Sequence, residues 1–265
     1  PSSSRLAISL TAIAMICLSV SLHAQRPPGP PPGHRPPDGP PGGPPGGPPG
    51  RGKEHTENKA SSLRLVPATR TPPAANQVTI TEEGDFRIIR SNDIPAHKVG
   101  RFPNPGNPNE ISEQQLNLRL PLHPTPNIVS SEMRGPIGVA VNGVYFDPGT
   151  AEVWRGDRSL GWNYEALGGA VRLGLDANYA HVQPGGKYHY HGSPTGYLKG
   201  ISFSPQKHSP LIGWAIDGFP IYALYGYDDP QDETSVIKKL KTSYRLKSGS
   251  RPRSPEGPGG RYDGA

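Results

Sequence analysis

Apolar and polar residues alternate through much of the chain after position 77, which is the pattern of half-buried β-strands. The segment QLNLRLPLHP places a leucine at every second position from Leu116 to Leu122, so these side chains share one face of a predicted strand. VTITEEGDFRIIRSN predicts two further strands around a Glu-Gly turn. Since no segment keeps a 3.6-residue period, we expect a mainly β, sandwich-like domain with hairpins and little helix.

Two later segments predict β-hairpins. GPIGVAVNGVYFDPG carries Asn142-Gly143 between β-branched and aromatic residues, and PLIGWAIDGFPIYALYG carries Asp217-Gly218 at the corresponding place. Both dipeptides supply the positive φ angles of a type I′ turn. Four of the eight aligned positions around the turns are identical. This similarity fits an internal duplication, and it fits equally well two hairpins that obey the same turn rules.

The part of the chain before the β region has a different composition. Arg5 and the apolar run 6–22, followed by HAQ, predict a secretory signal peptide over residues 1–24. Residues 25–76 open with a Pro/Gly-rich tract whose GGPP units lack the three-residue glycine period of collagen, so they predict a disordered linker. We expect a secreted, periplasmic or cell-surface protein with no stable membrane span after signal removal, whose β-rich domain covers 77–265.

Cysteine usage limits the chemistry that the domain can use. The single cysteine, Cys17, lies within the predicted signal peptide, so the mature chain would contain none. Disulfides and thiolate ligands are therefore excluded for the mature chain. Any metal site must be built from histidine, carboxylate, tyrosine or backbone groups.

A histidine-rich stretch, AHVQPGGKYHYHGSPTG, supplies such ligands. If residues 187–192 are extended, His189 and His191 share one face of the strand, and Tyr188 and Tyr190 share the other. Two imidazoles in this arrangement can converge on one ion with N–metal bonds of about 2 Å. The tyrosines are expected to support the histidines from the neighbouring face.

Two further histidines extend the candidate site. His181 precedes a Pro-Gly-Gly turn that can fold it back beside the His-x-His pair, and His208 follows in QKHSP as a fourth candidate ligand. Neutral imidazole suits zinc, copper, iron or nickel, of which zinc or copper is the expected metal. A hydrogen-bonded His/Tyr cluster that only stabilises the fold, or a catalytic histidine without metal, remains an alternative. Asp217 is a carboxylate ligand, an acceptor that orients a histidine or, as its Asp-Gly context favours, a turn residue.

These segments together resemble the YHYH domain family of secreted bacterial proteins, named for the tetrapeptide found here at 188–191. The resemblance covers about half of the chain, from Asn127 to Ala265. It implies an extracytoplasmic domain of unassigned activity, and it implies that the chain is a fragment, truncated at its carboxyl end. The family's shared residues correspond here to His181, the tetrapeptide, His208-Ser209-Pro210 and Asp217-Gly218.

Charge distinguishes the carboxyl-terminal part of the chain. The formal net charge is +6, and Val236 to Ala265 holds eight lysines and arginines against Glu256 and Asp263. LKTSYRLKSGSRPR, which begins at Leu240, alternates apolar and basic residues and predicts a strand with a solvated basic face. An anionic wall polymer or polysaccharide is the partner that this charge would suit. Nucleic acid is not expected, because the protein is predicted to be exported and has no aromatic-basic platform.

Two hypotheses for function follow from the sequence. The first is binding of a transition-metal ion through His181, His189 and His191, with His208 as the fourth candidate. The second is a non-enzymatic cell-surface or wall-binding module with a structural His/Tyr cluster. Catalysis is left open by the sequence. For an enzyme, three neutral donors and an open position would suit hydrolysis by metal-bound water.

Overall fold

The folded domain begins earlier along the chain than its composition indicates. A computed structural model describes residues 63–126, 135–242 and 244–262. The predicted signal peptide and the predicted linker up to position 62 lie outside these ranges. Residues 63–76, assigned to the linker by composition, are part of the domain, because Val66 bridges to Asp176 and Arg70 bridges to Val99. Leu63 also packs on a small buried cluster, so apolar contacts hold this segment as well.

Short strands make up most of the regular secondary structure of the described residues. In chain order they are β1 (Val78–Glu83), β2 (Phe86–Ser91), β3 (Leu116–Pro121), β4 (Gly138–Ala140), β5 (Tyr145–Phe146), β6 (Ala180–Val182), β7 (Tyr188–Tyr190), β8 (Leu211–Ala215), β9 (Pro220–Tyr222), β10 (Tyr225–Tyr227) and β11 (Ile237–Lys239). A single α-helix, α1 (Thr195–Gly200), and two 3₁₀ turns, Trp154–Gly156 and Arg158–Leu160, complete the regular structure of these residues. The expectation of a mainly β domain with little helix is confirmed.

The strands form three sheets. β1, β2 and β3 make a three-stranded antiparallel sheet, which confirms the strands predicted from VTITEEGDFRIIRSN and from the leucine alternation. Six strands make the large sheet, in the order β6-β7-β5-β4-β8-β9. Within it the β5–β7 pair is parallel and the other pairs are antiparallel. β10 and β11 form a separate two-stranded ribbon.

The small sheet packs on one face of the large sheet, which gives the domain its sandwich-like core. Ile89 of β2 and Leu120 of β3 are almost completely buried. They form one cluster with Val139 of β4 and Tyr145 of β5. Burial of each such aliphatic side chain stabilises the fold by about 1.5–3 kcal/mol. The small sheet thus covers the part of this face that β4 and β5 form. It does not cover the part that β6 and β7 form.

The opposite face of the large sheet carries the main hydrophobic cluster. Phe146, Tyr188 and Tyr190 are buried there. Because side chains alternate along a strand, residues 187, 189 and 191 point to the other face, the one on which the small sheet packs. The chain thus separates the tyrosines and the histidines of YHYH onto two sides of one strand.

Both predicted hairpins are present, but neither turn is of type I′. That type needs positive φ at both central residues, and Asn142 and Asp217 do not have it. Gly143 has φ 82° and Gly218 has φ 94°, the left-handed region that glycine adopts without steric cost. The amide of Gly143 donates to the carbonyl of Ala140 at 2.8 Å, and the amide of Gly218 donates to that of Ala215 at 2.9 Å. The Asn-Gly and Asp-Gly dipeptides therefore play the same part in their two hairpins.

An approximate twofold axis relates the two hairpins. β4 pairs with β8, and the amide of Val141 donates to the carbonyl of Ile212 at 2.9 Å. The equivalent bond, from Ile216 to Ile137, is 3.0 Å long. A rotation about this axis exchanges the two hairpins and converts each of these hydrogen bonds into the other. Shared turn rules do not require this relation, so it favours an internal duplication.

One element predicted from the sequence is absent. Leu240 and the residues that follow it, up to position 242 and again from Tyr244 to Leu246, form no strand. The alternation of this segment is real, but the ladder ends with the amide of Leu240, which donates to the carbonyl of Leu224 at 2.8 Å. Beyond that bond no strand of the described residues pairs with the segment. The described helices are also too short and too polar to cross a membrane, since α1 has six residues.

Candidate metal centre

Strand pairing brings three histidines together on one face of the large sheet. His181 in β6 lies directly opposite His189 in β7, and opposite residues of an antiparallel pair point to the same face. His191 comes two residues after His189 and therefore returns to that face. The turn predicted from Pro184-Gly185-Gly186 connects the two strands and folds the chain back as expected. These three residues are called the His cluster below.

The geometry of the His cluster suits a shared ligand. One ring nitrogen from each histidine lies within 4.8 Å of those of the other two. The Nε2 atoms of His189 and His191 are 3.0 Å apart. Each of the three pairs of ring centroids is separated by 4.7 Å. Nitrogens bound to one ion at about 2 Å lie roughly 3–3.5 Å from each other, so small ring rotations would complete such a site.

Backbone carbonyls occupy the outer side of the rings. The carbonyls of Leu173 and Lys187 lie 2.9 and 3.5 Å from Nδ1 of the rings at positions 181 and 189. Nδ1 of His191 has no hydrogen-bond partner of good geometry, although the carbonyl of Pro148 lies close enough to oppose part of the fall in the pKa of this ring that burial causes. In His181 and His189 a proton on Nδ1 would donate to these carbonyls and leave Nε2 with a free lone pair. No hydrogen bond of this kind selects the tautomer of His191.

Burial keeps the rings neutral. His189 and His191 are 1% and 6% exposed. Burial, together with the charges that the neighbouring rings would carry, lowers the pKa of His189 to about 2 and that of His191 to about 4. Burial also lowers the pKa of His181. Neutral imidazole is the form that binds transition metals.

Comparison with known proteins identifies the domain that carries this cluster. A family model described as YHYH protein matches residues 117–265, which is more than half of the chain. The chain belongs to the YHYH protein family. The matched range begins in β3 and contains the His cluster and both hairpins, so the resemblance noted from the sequence is confirmed. No curated protein and no solved structure matches the chain.

The tyrosines of the YHYH tetrapeptide make hydrogen bonds on the far side of β7. Tyr188 donates its hydroxyl to Asp176 Oδ2 at 2.8 Å. The hydroxyl of Tyr190 lies 2.6 Å from Nε2 of His97 and accepts from Asn142 Nδ2 at 2.9 Å. The tyrosines thus support the His cluster by fixing the strand that carries it, not by hydrogen bonds to the rings.

Asp147 is a neighbour of the His cluster that sequence reasoning missed. Its amide donates to the carbonyl of Tyr190 at 2.9 Å, which continues the parallel pairing of β5 and β7 toward His191. The side chain is buried, and its Oδ2 accepts from Gln183 Nε2 at 3.3 Å. Burial raises the pKa of Asp147, whereas the Gln183 hydrogen bond and the charges of Lys187 and the His181 ring oppose this rise. The only available signal was its place directly after a predicted strand, in YFDPG.

Asp176 is a second residue that the sequence did not single out. Its carboxylate is fully buried and accepts from the amides of Gly100 and Asn178, each at 2.8 Å. It also accepts the Tyr188 hydroxyl. This array anchors the back of the YHYH strand, and nothing in the local sequence LDANYA distinguishes it from a loop.

The two remaining candidates lie elsewhere in the YHYH domain. His208 packs against Tyr222 edge to face and against Tyr227 with tilted rings, the ring centroids being 5.1 and 5.0 Å apart. Its Nδ1 lies 2.9 Å from the carbonyl of Ser209. Asp217 is exposed in the turn of the second hairpin. Neither is among the groups that converge in the His cluster. The expected fourth ligand and the expected orienting carboxylate are therefore not brought to the site.

Proposed function

We propose that this YHYH domain binds one transition-metal ion, zinc or copper, through His181, His189 and His191. The main support is the convergence of one nitrogen from each ring within 4.8 Å. Three protein ligands leave one position of a tetrahedral ion open for water or another ligand. If the domain is catalytic, hydrolysis by metal-activated water is the reaction class that this arrangement suits.

The arrangement of the ring nitrogens suits a cation. With Nδ1 protonated, the Nε2 atoms of His189 and His191 are both acceptors, and they lie 3.0 Å apart. Two facing lone pairs repel each other unless a proton or a cation lies between them. The alternative is a hydrogen-bonded pair, in which Nε2 of His191 donates to Nε2 of His189, because Nδ1 of His191 has no hydrogen-bond partner to lose. A metal ion would also engage His181, which such a pair leaves out.

We further propose that the domain acts outside the cytoplasm. The basic residue, apolar run and small residue at the start of the chain are those of a secretory signal. The absence of cysteine from the rest of the chain makes the proposed histidine ligands independent of the redox state of the compartment.

Metal analysis tests the proposed function. The protein is purified without a polyhistidine tag, stripped with a chelator and titrated separately with zinc and with copper. We expect about one ion per chain at saturation. Replacing a direct ligand, in His189→Ala or His191→Ala, should weaken binding by more than the roughly 10–100-fold that loss of an outer partner causes.

His208→Ala is the matched control, because this histidine lies outside the His cluster and packs against tyrosines instead. It should bind metal as the parent chain does. Occupancy below about 0.2 ion per chain, unchanged by the His189 and His191 substitutions, would contradict a three-histidine site. The cluster would then be structural, and a cell-surface or wall-binding module would be the better description.

A further inference from the structure

Exposed apolar side chains are concentrated in one region. Seven large hydrophobic residues of the described chain are exposed, and six of them fall between positions 222 and 246. They are Tyr222, Leu224, Val236, Leu240, Tyr244 and Leu246. Single exposed apolar residues are ordinary, but a concentration of this kind marks a surface that meets another apolar phase.

The β10–β11 ribbon shows how this surface is formed. Tyr225 and Tyr227 point to one face of the ribbon and pack on Phe203 and His208. The register pairs position 226 with 238, so positions 224 and 240 and also 228 and 236 lie opposite each other on the other face. That face carries Leu224, Val236 and Leu240, which remain exposed. The ribbon is therefore covered on one side only.

Charge is separated along the ribbon. Its turn contains the acidic residues Asp228, Asp229, Asp232 and Glu233, and Asp228 pairs with Lys238. Beyond β11 the sign changes, because positions 234–255 contain no acidic residue. Lys241, Arg245 and Lys247 are exposed there, interspersed with the apolar residues Leu240, Tyr244 and Leu246. The end of the ribbon away from its turn is thus both apolar and basic.

We propose that this end of the ribbon docks on an anionic lipid bilayer. The surface, called the ribbon base, consists of Leu224 and Leu240 on the exposed face and of the segment that follows, with Lys241, Tyr244, Arg245, Leu246 and Lys247. Its aliphatic side chains gain free energy only by leaving water, as they do on entering the acyl boundary of a bilayer. Lysine and arginine extend to the headgroups, where each favours anionic lipid, and tyrosine prefers the interface. A hydrated polysaccharide would use the charges and leave the leucines in water. This inference is independent of metal binding.

A local fluorescent label tests the lipid contact. In the full chain with Cys17→Ser, Tyr244→Cys is labelled with an environment-sensitive fluorophore and mixed with phosphatidylcholine vesicles, with or without phosphatidylglycerol. We expect a blue-shifted, brighter emission with phosphatidylglycerol vesicles and quenching by brominated lipid. The same label at Asp85→Cys, in the exposed β1–β2 turn, should not change, even if residues 6–22 bind the vesicles.

Substitutions at exposed positions separate the contributions of charge and of apolar contact to lipid binding. Because the side chains are exposed, these substitutions should leave the fold intact. Each of Lys241→Gln, Arg245→Gln and Lys247→Gln should lower the partition coefficient about fivefold, the factor that corresponds to roughly 1 kcal/mol per basic residue near an anionic membrane. Leu240→Ser should reduce binding to phosphatidylglycerol vesicles while leaving its salt dependence in place.

Three outcomes would overturn the assignment. One is a label at position 244 that does not respond to anionic vesicles. Another is equal binding to a soluble anionic polysaccharide, unaffected by Leu240→Ser, which would assign the ribbon base to wall polymers. The third is concentration-dependent dimerisation without vesicles that Leu240→Ser abolishes, since that would assign the surface to a second copy of the chain.

Discussion

The side-chain carboxyl group of Asp93 lies in the interior of the domain, where a charge is unfavourable. Its side chain is fully buried, its φ of 57° is left-handed, and neither carboxylate oxygen meets a donor in good hydrogen-bond geometry. Burial raises the pKa of Asp93 to about 8, although Lys187 and the amide of Tyr145 oppose the rise. The acid is therefore mainly neutral at pH 7. Such a residue lowers stability at neutral pH, because the unfolded chain would release the proton that the folded chain retains.

Asp93→Asn should stabilise the protein at neutral and alkaline pH. The folded pKa lies above the unfolded value, so the favourable contribution of the protonated acid is present below about pH 4 and is lost as pH rises through about 8. Asparagine is neutral throughout and tolerates left-handed φ. We expect a gain of at most about 4 kcal/mol at pH 7, which shrinks toward pH 4.

Thermal unfolding from pH 4 to pH 9 checks this expectation for Asp93→Asn. Asp217→Asn is the matched control, because Asp217 is exposed in a turn that accepts Asn equally well. The control should follow the parent at each pH. A stability difference between Asp93→Asn and the parent that does not vary with pH would show that packing, and not proton release, determines the effect of the substitution.

The paired hairpins depend on two glycines at the element scale. A Cβ at Gly213 would lie 2.3 Å from the carbonyl oxygen of Val139 and 2.9 Å from an aromatic carbon of Phe146. The symmetry-related Gly138 is confined in the same way by the carbonyl of Trp214, at 2.6 Å. Backbone atoms cannot move aside as flexible side chains do. The β4–β8 contact therefore admits no side chain at either position.

Gly213→Ala is expected to destabilise the domain by about 1–3 kcal/mol or more, the usual cost of overpacking a core. Gly200→Ala, in α1, serves as the control, because a Cβ there meets nothing within 4 Å and alanine is the better helix former. Urea unfolding of both variants measures the difference. Equal midpoints for the two would mean that β4 and β8 are not packed this closely in solution.

The sequence predicted those elements whose cause is local. Asn142-Gly143 and Asp217-Gly218 specify their turns by backbone chemistry, and the alternation around Leu118 specifies a half-buried strand. The same alternation after Leu240 did not make a strand, because a strand also needs a neighbour to bond with, and neighbours are set by the whole fold. Periodicity alone does not distinguish these two cases.

For the candidate site, too, the sequence predicted the parts that depend on local structure. His189 and His191 share a face by the two-residue period of a strand, and the Pro-Gly-Gly turn returns His181 to them. Asp147 was missed because it reaches the site through the parallel β5–β7 pairing, which no local pattern reveals. His208 is near in sequence but is held by aromatic contacts elsewhere.

At the scale of the whole molecule, the His cluster joins parts that local interactions hold weakly. β6 and β7 have three residues each, and the loop that contains Leu173 reaches them through its carbonyl bond to His181. An ion bound at the cluster would bind the folded chain and not the unfolded one, so its binding energy would add to folding stability. The edge of the large sheet should then be the part of the domain that gains most order.

Metal linkage gives the corresponding prediction. At a free metal concentration 100 times the dissociation constant, the free energy of unfolding should rise by about 2.7 kcal/mol. The increment on adding metal is the quantity to compare, because a substitution can lower the baseline stability by itself. His208→Ala should keep the full increment, and His189→Ala should lose most of it. On adding metal, hydrogen exchange should slow most at the amides of β6 and β7. Two results would mean that the ion binds somewhere other than the His cluster. One is uniform slowing that includes the small sheet, and the other is a stability increment that His189→Ala retains.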